Sequence, residues 1–91
     1  MAITVRIPAP LRRLTEGNRE VSTDAATVGE CIDWLGETFP GLKDRICEED
    51  GSVRRFVNIY VRGEDIRFVN GLATPLRDGD DVSIVPAASG G

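Results

Sequence analysis

The residues best suited to chemistry in this sequence are the last two, Gly90 and Gly91, which follow the small residues Ala87, Ala88 and Ser89. Glycine has no Cβ, so its backbone can enter narrow channels and adopt dihedral angles that other residues avoid. A free carboxylate on Gly91 is therefore expected to reach into the active site of another protein and react there. The alternative interpretation is an ordinary frayed chain end, because most termini are poorly ordered.

The remaining side chains offer little for catalysis. Histidine is absent, which removes the commonest general base and metal ligand and any His-assisted nucleophile or His-containing zinc site. Cys31 and Cys47 have no metal-binding spacing and are too few for a disulfide framework, so both are interpreted as structural. The acidic run 48–50 lacks the alternating ligands of a calcium loop. We therefore expect a reagent handled by enzymes, with no catalytic side chain, metal or cofactor of its own.

Length and charge limit the possible partners. A chain of 91 residues is long enough for one domain with a single core. Its net charge of −4 argues against nucleic acid as a partner, because phosphate binding needs a basic face. The same charge favours encounter with a basic protein surface. Without an apolar run of membrane-spanning length or a signal segment, the expectation is a cytoplasmic protein that binds no membrane.

The elements that must position the two glycines follow from the hydrophobic pattern. Thr27 and Glu30 have the spacing of a capping box, and apolar residues then recur at helical spacing until Pro40. This predicts one main helix carrying the stripe Val28, Cys31, Ile32, Leu35 and Phe39, a short second helix at 42–47 and a helical turn at 11–14. Strands are predicted at 3–7, 19–22, 55–61, 66–69 and 81–85, with turns at 62–65, 70–71 and 77–80.

This order of elements predicts an α+β fold in which a mixed sheet packs on one main helix and leaves its other face exposed. We expect a folded domain over residues 1–86 and a flexible Gly-Gly tail over 87–91. Pro86 cannot donate a ladder hydrogen bond, so it is expected to help release the tail from the sheet.

The exposed face of the predicted sheet is the expected docking surface. In strand 55–61, Val57 and Ile59 share one face, whereas Phe56 and Tyr60 share the opposite one. Exposed aromatic side chains are favoured interface anchors. Phe56 and Tyr60 are therefore predicted to dock partners, together with Val85 and Pro86, which lead into the tail. The alternative is that a loop of the same chain covers both aromatic residues.

The C-terminal third of the sequence carries a family resemblance. Residues 76–86, LRDGDDVSIVP, join a turn to an apolar strand and a proline before the terminal Gly-Gly, and residues 56–61 read FVNIYV. This combination, over essentially the whole chain, resembles the MoaD/ThiS family of sulfur carriers with the ubiquitin-like β-grasp fold. Segments 55–61, 65–68 and 71–74 are most similar to the cysteine-biosynthesis sulfur carriers of actinobacteria.

The resemblance implies a chemistry for the tail. A ubiquitin-activating-like enzyme would use ATP to adenylate Gly91, and sulfide or a reduced persulfide would displace AMP to leave a thiocarboxylate. Gly90, Ser89, Ala88 and Ala87 would form the narrow segment threaded into partners. The implied acceptor is a pyridoxal-phosphate cysteine synthase that holds an aminoacrylate made from O-phosphoserine. A metallopeptidase would then release the cysteine.

Other functions remain open at this point. A thiazole-synthase-like enzyme, a molybdopterin synthase or a secondary-metabolite enzyme would use a similar tail, and one carrier could serve several acceptors. The activated glycine could instead be attacked by lysines, which would make the chain a ubiquitin-like protein modifier. A third possibility is an interaction module whose Gly-Gly end has no function.

Overall fold

The computed structural model of the chain describes residues 2–86, in which a mixed sheet of five strands packs against one main helix. The order across the sheet is β2-β1-β5-β3-β4, and only the β1–β5 pair is parallel among these neighbours. This arrangement confirms the expected α+β, ubiquitin-like β-grasp fold. The elements are β1 (Ile3–Arg6), β2 (Glu20–Thr23), α1 (Val28–Thr38), α2 (Leu42–Ile46), β3 (Val57–Val61), β4 (Glu64–Asp65) and β5 (Asp81–Pro86).

Helix α1 begins and packs as its sequence predicts. The Thr27 hydroxyl accepts a hydrogen bond from the amide of Glu30 at 3.2 Å, which satisfies one of the free amides of the first turn. The apolar stripe of the helix is buried against the sheet. Val28, Cys31, Ile32 and Leu35 are each at most 2 % exposed. Phe39 lies just after the helix, and its amide donates to the carbonyl of Leu35. The predicted second helix is α2.

The strands supply the other half of the core. Every second residue of β1, β3 and β5 is buried, as expected for a sheet with one covered face. The expected turn at 11–14 is part of a longer 3-10 helix, Ala9–Thr15, which crosses between β1 and β2. The buried strand residues are Ile3, Val5, Val57, Ile59, Val61, Val82 and Ile84.

The strand predicted at 66–69 is wrong. The fourth strand is the two-residue β4, and Ile66–Phe68 forms a 3-10 helix directly after it. The Asp65 side chain accepts a hydrogen bond from the amide of Arg67 at 2.9 Å, and this cap favours a helical turn over an extended segment. Alternation of apolar and polar residues over only four positions did not distinguish the two conformations.

The predicted strand 55–61 begins two residues later than expected, at Val57. The amide of Val57 donates to the carbonyl of Arg54 at 3.0 Å, which closes a turn over residues 54–57. Phe56 therefore lies in that turn and not on the outer face of the strand, as the sequence had suggested. At the other end of the sheet, β5 continues through Pro86, one residue beyond the prediction.

The described helices are short, and among residues 2–86 none has the length and apolar character needed to cross a bilayer. The proposed boundary between the domain and a flexible tail at 87–91 stays a prediction, because Ala87 to Gly91 lie outside the described residues.

Candidate functional site

The site is built around the end of β5, because this strand leads into the C-terminal glycines. β5 lies between β1 and β3, but β1 is in register only with residues 81–83, so among the described strands the end of β5 is paired with β3 alone. Its last two residues, Val85 and Pro86, are in register with Asn58 and Val57 at the start of β3. The first residues of β3 therefore determine where the C-terminal segment begins.

The outer face of the sheet presents apolar surface near this point. Val85 is 42 % exposed and Phe56 is 63 % exposed, so no loop among residues 2–86 covers Phe56. Tyr60 is half-buried and lies diagonally from Val85 on the same face, since its direct partner in β5 is Ser83. Phe56 lies in the turn before β3. The docking role of these residues stays a prediction.

Pro86 is placed differently from the other expected docking residues. It is half-buried and follows Val82 and Ile84 at two-residue spacing in β5, which assigns it to the inner face of the sheet, opposite Val85. As a proline it has no amide with which to pair to a further strand. Pro86 therefore ends β5 and is not an exposed docking contact.

Arg67 is part of the site, although it was not among the residues expected there. From the 3-10 helix after β4, its guanidinium reaches back to the start of β3. Nη1 donates to the Asn58 side chain at 2.6 Å, and Nη2 lies 2.7 Å from the carbonyl of Val57 and 3.0 Å from that of Arg54. The signal that could have found it is the Asp65 cap, which turns Arg67 toward β3.

A second arginine holds the opposite end of β3. Arg62 and Gly63 form the two-residue turn between β3 and β4, both with positive φ. The Arg62 guanidinium pairs with Asp80, which is 8 % exposed, and also donates to the carbonyl of Pro75. Asp80 in turn accepts the amide of Arg77 at 2.8 Å. This network fastens the turn that precedes β5.

The two cysteines lie away from the exposed face. Burial raises the pKa of the Cys31 thiol to about 12, and burial is also the main cause of the raised pKa of Cys47. Cys47 lines an open cavity of about 470 Å³ beside the Asp33–Lys43 ion pair. A thiol with a raised pKa is a poor nucleophile at neutral pH. Both residues thus have the character of core side chains.

Comparison with known proteins defines the class. The model of the ThiS family matches residues 5–91. The chain is 45 % identical over 93 residues to the sulfur carrier protein CysO of Mycobacterium tuberculosis, with full coverage of both chains. It superposes with a TM-score of 0.91 on a chain of the Amycolatopsis orientalis BexX/CysO complex, at 43 % identity, covering 99 % of this chain and 100 % of that one.

A further relative is named as a protein modifier. The small archaeal modifier protein 3 of Haloferax volcanii is 41 % identical over 68 residues, which cover 75 % of this chain and 73 % of that protein. The fold and the position of the C-terminal strand define a ubiquitin-like β-grasp protein. With the family match over nearly its whole length, the chain belongs to the ThiS family.

Proposed function

We propose that the chain is a sulfur carrier protein that delivers sulfur from its C-terminal glycine, with cysteine biosynthesis as the pathway. The full-length identity of 45 % to a sulfur carrier protein CysO carries this proposal. The structure supports it, since the central strand β5 ends beside an exposed apolar surface and leads directly into Ala87 to Gly91.

The chemistry follows from the weak reactivity of a carboxylate. The Gly91 carboxylate attacks the α-phosphorus of ATP in an adenylating enzyme, which forms a mixed anhydride with AMP and releases pyrophosphate. Sulfide then attacks the acyl carbon and displaces AMP, leaving a thiocarboxylate whose sulfur is nucleophilic. Gly90 and the small residues 87–89 give the tail a narrow cross-section for entry into a partner.

The chain supplies the reagent and its partners supply the catalysis. ATP is a substrate of the activating enzyme, and this chain binds no cofactor of its own. Phe56, Tyr60 and Val85 provide the docking surface, and the acceptor is a pyridoxal-phosphate cysteine synthase, followed by a metallopeptidase. The solved BexX/CysO complex of Amycolatopsis orientalis supports a protein partner for a chain of this shape.

The test is to incubate the chain with the adenylating enzyme of its source organism, ATP and sulfide. Mass spectrometry of the intact protein should show one oxygen replaced by sulfur, and fragmentation should place that sulfur on Gly91. The matched control lacks Gly90 and Gly91 and should gain no sulfur. Sulfur bound to Cys31 or Cys47 would contradict the proposal.

A second function is favoured by the similarity to the small archaeal modifier protein 3. The same activated glycine would form an isopeptide with a lysine amine, with AMP as the leaving group. Immunoblots of cells that express the tagged chain should then show high-mass conjugates that disappear when Gly91 is removed. A blot that shows only the free chain would exclude this role under the tested conditions.

A further inference from the structure

The first half of β3 has no strand on one side within the described part of the chain. β4 is two residues long and pairs only with Tyr60 and Val61, so Val57 to Ile59 extend beyond it. On the opposite side, Val57 and Asn58 are in register with the last two residues of β5. The unpaired side of Val57 and Asn58 is thus the side opposite the last two residues of β5.

The Arg67 guanidinium occupies this side of β3 in place of a strand. Nη2 donates to the carbonyl of Val57 at 2.7 Å, and Nη1 donates to the Asn58 side chain at 2.6 Å. The carbonyls of Arg54 and Arg55 lie 3.0 and 3.4 Å from Nη2, in the turn that precedes the strand. The planar fork of an arginine suits this set of convergent acceptors, which a single ammonium could not satisfy together.

The amide and the carbonyl of Val57 both face away from β5, where they bond to the Arg54 carbonyl and the Arg67 guanidinium. The Val57–Pro86 position therefore adds no ladder hydrogen bond between β3 and β5. A strand end held on one side only is expected to fray. Arg67 therefore holds the start of β3 on its unpaired side, next to the residues that pair with the end of β5.

We propose that Arg67 is a positioning residue that keeps Val85 and Pro86, the end of β5, in register with the start of β3, and that adenylation of Gly91 by an activating enzyme depends on this placement. This inference rests on the proposed function. Arg67 contacts no substrate and acts only through β3 and β5. Its loss should leave docking intact and misplace the reacting carboxylate.

The test compares Arg67→Met with Arg62→Met. The two arginine side chains are similarly exposed, at 39 % and 36 %, and each binds a carboxylate and at least one backbone carbonyl. Arg62, however, holds the far end of β3. The adenylation rate is measured by ATP–pyrophosphate exchange with the activating enzyme of the source organism. The assay is run at a temperature where circular dichroism shows each variant folded.

Arg67→Met should lower kcat by about tenfold or more with KM within about twofold, since small misplacements of a reacting group are costly. Arg62→Met should keep kcat. Hydrogen exchange should accelerate at the amides of Asn58 and Val85 in Arg67→Met and remain unchanged there in Arg62→Met. If Arg67→Met does not fold, Arg67→Lys replaces it. The expected loss of kcat and increase in exchange are then in the same direction but smaller.

Equal kcat values for the two variants would overturn the role of Arg67, and so would equal exchange at Asn58 and Val85. These outcomes are distinct from failure of the proposed function, in which the unaltered chain itself is not adenylated. In that case the exchange measurement still decides whether Arg67 holds the root of the C-terminal segment.

Discussion

The two faces of β3 have different tasks although their residues alternate along one strand. Val57, Ile59 and Val61 point into the core and are at most 6 % exposed. Asn58 and Tyr60, between them, are half-buried on the outer face. Because the side-chain period of a strand is two residues, stability and partner recognition can be assigned to neighbouring positions without conflict. Substitutions on the two faces should therefore have separable effects.

The largest expected effect is on the inner face. Ile59→Ala should reduce the free energy of unfolding by about 2–5 kcal/mol, because it removes buried methylenes and leaves a cavity. Ile59 is 1 % exposed and lies in the middle of the strand. Chemical denaturation monitored by circular dichroism measures the loss. Tyr60→Ala is the control, and an equal loss from that substitution would contradict the assignment of stability to the inner face.

The outer face should show the opposite behaviour. Tyr60→Ala is expected to keep most of the stability and to raise KM in the adenylation assay by about tenfold, as the loss of an aromatic interface anchor does. Ser22→Ala, on the same face but in β2, should leave KM unchanged. If both adenylation and sulfur transfer by Tyr60→Ala match those of the unaltered chain, Tyr60 is not a docking residue.

The pH dependence of stability tests how completely the core around Cys31 excludes water. The pKa of Cys31 is raised from 9.0 to about 12 by burial, so the unfolded chain loses this proton first as pH rises. Its contribution to stability is therefore fully present below about pH 9 and is lost progressively toward pH 12. Denaturation between these pH values should show a steeper decline for the unaltered chain than for Cys31→Ala. Parallel declines would show that the Cys31 thiol is accessible to water.

The smallest expected effect comes from the ion pairs of the outer face. Arg6 contacts Glu20 at 2.7 Å and Asp81 at 3.1 Å, but about half of each side chain is exposed. Exposed pairs of this kind contribute little and are screened by salt. Arg6→Ala should leave the thermal midpoint nearly unchanged at physiological ionic strength. A large decrease that persists in about 1 M salt would show that this network stabilises the sheet.

The predictable parts of the fold are those with long or capped patterns. The Thr27 cap and the helical stripe after it predicted α1, and alternation predicted the buried residues of β1, β3 and β5. The short segment 66–69 was assigned wrongly because four residues carry too little periodicity to outweigh the Asp65 cap. The start of β3 was misplaced for a similar reason, since a turn hydrogen bond at Val57 ended the extended conformation.

The sequence by itself determined the β-grasp order of elements and the terminal glycines, because periodicity, caps and Gly-Gly are local properties of the chain. Only the tertiary structure decided that Phe56 lies in a turn, that Pro86 belongs to the inner face, and that Arg67 reaches the start of β3. An arginine side chain finds its carbonyl acceptors across a fold, and the residues it joins, Val57 and Arg67, are ten positions apart. Such contacts depend on where neighbouring elements lie, which no local pattern specifies.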